Sequence, residues 1–201
     1  MTHVKRSDFS FGWATVIETN EILELIRRYE RQSMNLRIMR DARLYVCRSQ
    51  GEVAGWVGIS TDHIKDYAEY FSLYVKPEYR GWGLGLSLEL AVVSEAERCG
   101  HRFLHFRVDS KVEDRLTQSR FRSGHIALFE PAPEIKDLCT KCELYAKLCQ
   151  KQTFMKIDVL KRKVQLQTDL QNFEVSRLGP TLGQVIAPSV HLQKGIEFKR
   201  M

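Results

Sequence analysis

From Arg80 the chain runs Arg-Gly-Trp-Gly-Leu-Gly-Leu to residue 86. Ala68 to Val75, before it, reads as a strand, and Lys76-Pro77-Glu78-Tyr79 reads as a break. Leu86 to Cys99, after it, reads as a helix. A glycine-rich turn entering a helix leaves several backbone N–H groups free on one side. With the positive end of the helix dipole they suit a phosphate or pyrophosphate. Glycine matters there because a Cβ would hold a ligand away from the backbone. The glycine spacing (81, 83, 85) does not fit G-x-G-x-x-G, and no Lys-Ser or Lys-Thr follows Gly85, so neither common nucleotide fingerprint applies. A tight turn that binds nothing is the plain alternative.

Cys139, Cys142 and Cys149 invite a zinc or iron–sulfur reading. The stretch carries Ile135, Leu138, Cys139, Cys142, Ala146 and Cys149 on one face of an amphipathic helix. Along a regular helix Cys142 and Cys149 stand about 10 Å apart at ~1.5 Å per residue. That is too far for one metal ion or for a disulfide. Buried cysteines on an apolar face are therefore favoured, and no metal ligand is assigned. His101 and His105 flank Phe103 in an alternating strand and read as exposed. Trp13, Trp56 and Trp82 could line a pocket. Core packing explains the first two as well, and Trp82 reads as exposed beside the turn.

The 201 residues, 43% hydrophobic and 10% aromatic, suit one globular domain with an appendage. No apolar run long enough to span a membrane occurs, and the N-terminus lacks the apolar core of a signal peptide. A cytoplasmic protein is expected. Five cysteines fit a reducing compartment better than a disulfide scaffold. The net charge of +6 is unevenly placed: all but one unit of it lies from Lys151 onward.

Trp13 to Ile17 reads as a first strand, and Thr19 or Asn20 as the cap of a helix bearing Ile22, Leu25, Ile26 and Tyr29. Ser33 to Asp41 reads as a short helix. Arg43 to Arg48 and Val53 to Ile59 flank Ser49-Gln50-Gly51 as a hairpin. The helix after the glycine turn places Leu84, Leu88, Val92, Ala96 and Cys99 on one face and ends at Gly100. Phe103 to Val108 reads as a strand. Ser110 and Glu113 form a capping-box pattern for a helix that stops near Gly124. Ile126 to Phe129 and Phe154 to Val159 read as strands. Pro131 to Thr153 reads as an insert. Breaks in the tail from Leu160 onward suggest loop and short strands.

The stretch Leu73-Tyr74-Val75-Lys76-Pro77-Glu78-Tyr79-Arg80-Gly81, with R-x-x-G-x-G, resembles motif A of the GNAT superfamily of acyl-CoA-dependent N-acyltransferases. The resemblance covers about residues 40 to 125. It implies an α/β fold with a mixed, mostly antiparallel central sheet flanked by helices. Residues 1–160 would form the domain, with the cysteine-containing helical insert at 131–153. Residues 161–201 would be a basic extension rather than an independent domain. It implies acetyl-CoA or another acyl-CoA as co-substrate. Arg80, Gly81, Trp82, Gly83, Leu84, Gly85 and Leu86 would hold the pyrophosphate. Backbone groups around Leu73, Tyr74 and Val75 would hold the pantetheine arm like an added strand. Glu69, eleven residues before Arg80, would be the general base. One departure stands out: where many members carry a tyrosine as general acid, this chain has Arg120, and Glu113 stands where the family has an asparagine.

The resulting expectation is an N-acyltransferase moving an acetyl or short acyl group to a primary amine of a small molecule or protein. The alternative is a catalytically silent CoA-binding or nucleic-acid-associated protein, supported by the missing tyrosine and Lys161-Arg162-Lys163. Nucleic acid is not favoured, because the tail is thin in aromatics. A longer acyl chain and a homodimer stay open, and no membrane contact is expected.

Overall fold

The computed structural model describes residues 8–29, 42–64, 66–109, 126–128 and 152–178. Phe9–Trp13 forms β1 and Val16–Tyr29 forms α1. The strand expected over Trp13 to Ile17 is thus displaced, and the reason is a capping box. The Glu18 N–H donates to Thr15 Oγ1 at 3.2 Å and the Thr15 N–H donates to Glu18 Oε2 at 2.7 Å. The helix therefore starts after Thr15, not at Thr19 or Asn20, and leaves Val16 and Ile17 exposed on its first turn. Arg48 ties this cap to the sheet: its guanidinium donates to both Glu18 carboxylate oxygens and to the Trp13 carbonyl.

Arg43–Ser49 (β2) and Glu52–Ile64 (β3) make the expected hairpin, turning at Gln50 and Gly51 with φ of 51° and 85°. Tyr67–Val75 is β4, Leu84–Arg98 is α2 and Phe103–Asp109 is β5. Ile126–Leu128 (β6), Gln152–Asp158 (β7) and Val159–Leu178 (α3) complete the described chain. The strands form one sheet of seven in the order β1-β2-β3-β4-β5-β7-β6. Every pairing is antiparallel except β4–β5. The expected mixed α/β architecture is therefore the observed one.

The two faces of the sheet have separate cores. On one face Ile22 and Ile26 of α1 pack with Leu44, Val46 and Trp56. On the other face Leu84, Leu88, Val92 and Ala96 of α2 pack on Val57, Ile59, Ala68 and Leu104. Cys99, expected on that apolar stripe, is instead the exposed C-cap. Gly100, with φ of 80°, ends the helix as expected.

The tail departs most from expectation. Residues 159–178 are one helix, not loop and short strands, and Asp158 Oδ1 accepts the Lys161 N–H at its start. Leu166 is buried, and Arg162 makes two hydrogen bonds, of 2.8 and 3.0 Å, to Glu89 of α2. The breaks seen in the tail sequence lie after residue 178. The expected helices over Ser33 to Asp41 and Ser110 to Gly124 lie outside the described residues. So do Glu113, Arg120, the three insert cysteines and the end of the tail. No described helix is long and apolar enough to cross a membrane.

The Arg48 hydrogen bonds hold the Glu18 carboxyl down from 4.5 to about 2. Its folded form favours the ionised state. The contribution is therefore complete above about pH 4.5 and is lost as pH falls towards 2. Glu18→Gln should flatten that acid limb in thermal unfolding followed across pH. Thr15→Ala should lower stability by about 1 kcal/mol at neutral pH. At the second helix pair, Arg162→Met removes two guanidinium hydrogen bonds from a carboxylate that is 0% exposed. Denaturant unfolding should show a loss of about 3–5 kcal/mol, most of it recovered in the Glu89→Leu/Arg162→Met double variant.

Candidate functional site

β4 and β5 run parallel and are joined at only three rungs, Tyr67↔Phe103, Ala68↔Leu104 and Glu69↔His105. β4 continues to Val75 and β5 to Asp109. Past Glu69 and His105 the ladder ends, and a cleft opens between the two strands. Its β4 wall is irregular. Gly58 pairs with Phe71 and Trp56 with Tyr74, so Ser72 and Leu73 together oppose Val57. Ser72 carries the bulge, with φ of 53°, and its Oγ accepts the Trp56 indole N–H at 3.1 Å. Leu73, expected to hold an extended ligand through its backbone, sits in this bulge.

Val75 can be oriented from its neighbours. The Lys76 N–H donates to the Ala54 carbonyl at 2.9 Å, which makes Val75 and Gly55 a non-hydrogen-bonded pair. The Val75 N–H and C=O therefore point away from β3, towards the cleft. The Arg80 Nε–H takes that carbonyl at 3.0 Å, so the guanidinium folds back on the strand end. A carbonyl accepts two bonds, and one lone pair remains for a ligand amide.

A turn of 3₁₀ helix, Pro77–Tyr79, leads into the glycine turn. Tyr79 and Trp82 both rest on Phe9 of β1, with ring centroids 5.8 and 6.1 Å apart. Trp82 is thus half-buried against the core rather than exposed. Gly81 and Gly83 have φ of 79° and 73°, which explains them as glycines. Gly83 is also the N-cap of α2, with no side-chain cap. The first helical bond is from the Ser87 N–H to the Gly83 carbonyl. The amides of the first turn, Leu84 to Leu86, are left for another acceptor. Gly85 has ordinary φ, and a Cβ there would meet nothing within 4 Å. The described fold gives no steric or backbone reason for glycine at 85.

Glu69 lies at the apex of the cleft and is buried, as is His105 beside it. The exposed strand histidine expected at 105 is corrected: both faces of this central strand are covered. His101 precedes the strand and is half-buried. Trp13 and Trp56 serve packing, Trp13 against Tyr45 and under the Arg43 guanidinium, Trp56 stacked on Tyr74.

Residues 12–118 match the description of the acetyltransferase (GNAT) family, just over half of the chain. The chain belongs to the GNAT acetyltransferase family. A sequence comparison with curated proteins finds no match. Similar solved structures share the fold at low identity. The ribosomal-protein-S18-alanine N-acetyltransferase of Escherichia coli is 14% identical, with a TM-score of 0.52 over 75% of this chain and 94% of that one. A GNAT-family acetyltransferase of Staphylococcus aureus is 11% identical, with a TM-score of 0.53 over 75% and 99%. The N-acetylglutamate synthase of Neisseria gonorrhoeae, complexed with coenzyme A and N-acetyl-glutamate, is 12% identical. Its TM-score is 0.53, over 77% of this chain and 36% of that one.

For this GNAT chain, sequence reasoning missed one neighbour of the glycine turn. α3 runs antiparallel to α2 and brings the Phe173 ring to 3.0 Å from where a Gly83 Cβ would sit. The absence of Gly or Pro from 159 to 178 was the available signal. Among the described residues no cluster of His, Cys, Asp or Glu could hold a metal; the insert cysteines are not among them.

Gly85→Ala separates ligand from fold. Thermal stability should hold or rise, since alanine favours a helix by up to about 1 kcal/mol over glycine. Coenzyme A affinity, measured by calorimetry, should fall tenfold or more.

Proposed function

We propose that this chain transfers an acetyl or other short acyl group from acyl-CoA to a primary amine. The observation that carries the reading is the uncapped start of α2, with an unexplained glycine at 85, beside the mouth of the β4–β5 cleft. In this reading the amides of Gly81 to Leu86 receive the pyrophosphate, and Arg80 swings from the Val75 carbonyl to meet a phosphate oxygen. The pantetheine arm lies along β4, using the inward-facing backbone of Val75 and the stretch from the bulge at Ser72 and Leu73 through Tyr74. That arm runs from the turn towards Glu69, six residues or about 20 Å at ~3.3 Å per residue. The thioester is thereby delivered towards the cleft apex, where proximity removes much of the barrier to amine attack. Glu69 assists deprotonation of the acceptor.

The alternative of a silent binding protein loses part of its support. Of Lys161-Arg162-Lys163, Arg162 is buried on Glu89 and Lys163 pairs with Glu97, so only Lys161 is left to a nucleic acid. The test is thiol release from acetyl-CoA with a panel of amines, with acylated product identified by mass spectrometry. Turnover that needs an amine, and that falls about hundredfold or more in Glu69→Gln, supports the reading. Coenzyme binding without turnover for any amine, together with salt-dependent binding to RNA or DNA, would replace it with the alternative.

A further inference from the structure

The rung that closes the cleft continues across the sheet. Ser60 of β3 pairs with Glu69, Glu69 with His105, and His105 with Lys156 of β7. Residues in register share a face, so these four side chains form one polar row. Ser60, Glu69 and His105 are 3%, 7% and 5% exposed. The preceding rung, Ala68, Leu104 and Ile157, faces the other way and is wholly apolar. Lys156 also lies over the Phe103 ring, at 5.1 Å, and Phe103 stacks on Tyr67, which places all of them on the same face as His105.

Burying a carboxylate, an imidazole and a hydroxyl together is unfavourable unless they engage one another or a ligand. The neighbouring rung is apolar, so the polar row departs from its surroundings. Its place is informative: Glu69↔His105 is the last rung before β4 and β5 separate. Among the four groups, imidazole alone has an ordinary pKa close to neutrality, which is what proton removal from an ammonium needs.

We propose that His105 is a catalytic residue of the transfer reaction, acting with Glu69 as a carboxylate–imidazole base; this rests on the acyltransferase reading above. The acceptor ammonium gives one proton to the imidazole, directly or through one water. The freed amine attacks the thioester carbonyl, forming the N–C bond, and the C–S bond breaks with its electron pair leaving on sulfur. The remaining ammonium-type proton on nitrogen passes to the thiolate, so the products are amide, free thiol and one proton. Glu69 orients the imidazole and stabilises its cationic form, a division of labour that a buried carboxylate beside a histidine performs in other transfer enzymes. The charged and titratable groups aligned with His105 on adjoining strands are Glu69, Lys156 and Tyr67. Glu69 favours the imidazolium and Lys156 opposes it.

The experiment compares wild type, His105→Gln, His105→Ala and Glu69→Gln in full-length protein. Readouts are steady-state kinetics from pH 6 to 9, coenzyme A calorimetry and imidazole titration by NMR. In both His105 variants kcat should fall about hundredfold, the acidic limb of the pH–rate profile should vanish, and coenzyme affinity should stay within threefold. In Glu69→Gln the His105 imidazole should titrate at lower pH. Retention of that limb with more than half of the activity in His105→Gln would overturn the proposal. So would a His105 titration indifferent to Glu69→Gln, which is readable even where a variant turns over poorly. Failure of the acyltransferase reading has a different signature, wild-type protein that gives no turnover with any amine, whether or not it binds coenzyme A.

Discussion

One short parallel pairing holds two antiparallel sheets together. β1 to β4 form a meander, and β5, β7 and β6 form a second unit; only three rungs between β4 and β5 join them. A parallel pair needs a crossover, and α2 supplies it, packing Leu88, Val92 and Ala96 into the core on one face of the sheet. Because pairing stops after three rungs, the end of β4 turns backbone groups towards the cleft rather than to β5: the Val75 N–H and C=O face away from β3, and the carbonyl accepts the Arg80 Nε–H. A buried polar backbone is costly unless something bonds to it. The fold thus presents a ready edge for an extended, amide-bearing ligand, and the same divergence places the mouth of the opening beside the start of α2.

The glycine turn at that mouth is held from two sides. Phe9 in β1 meets Tyr79 and Trp82, while Phe173 in α3 lies against Gly83. These contacts let a segment with three glycines keep one shape, which an anion site of backbone amides requires. α3 reaches the turn because its first half is anchored on α2 by Arg162 and Glu89 and by Leu166 in the core. A buried ion pair adds little net stability, but it fixes how two helices register against each other. Here the register decides whether Phe173 arrives at Gly83.

The strand–turn–helix around Arg80 was legible because each part carries its own signal: a β-rich run, Lys-Pro, alternating glycines and an apolar helical stripe. The β2–β3 hairpin was legible for the same reason. β1 and α1 were misread at Trp13 to Ile17. β-branched Val16 and Ile17 look like strand, yet the reciprocal cap of Thr15 and Glu18 outweighs that preference. α3 was hidden by its composition: Leu160 and Val164 are exposed apolar residues and Arg162 a buried charge, so the helical stripe is blurred. At His105, alternation was taken to mean a wet face. In a sheet covered on both sides, position relative to the seam decides burial, and a single sequence does not reveal which strand is central.

Why the polar row survives in the middle of the sheet is a question of competing demands. Stability alone would favour apolar residues at 60, 69 and 105, as the opposite rung shows with Ala68, Leu104 and Ile157. Ser60 Oγ has no hydrogen-bond partner among the described residues, so that hydroxyl does not repay its own burial. The buried Arg162–Glu89 pair satisfies itself through two hydrogen bonds, whereas a local rule broken without such a closed pairing marks a functional site more often than a folding accident. The break falls on the only rung where two strands are close enough to hold a carboxylate beside an imidazole and yet about to part. One rung earlier, the groups would be sealed in the sheet. Beyond it, they would face each other across an open gap and lose their mutual orientation.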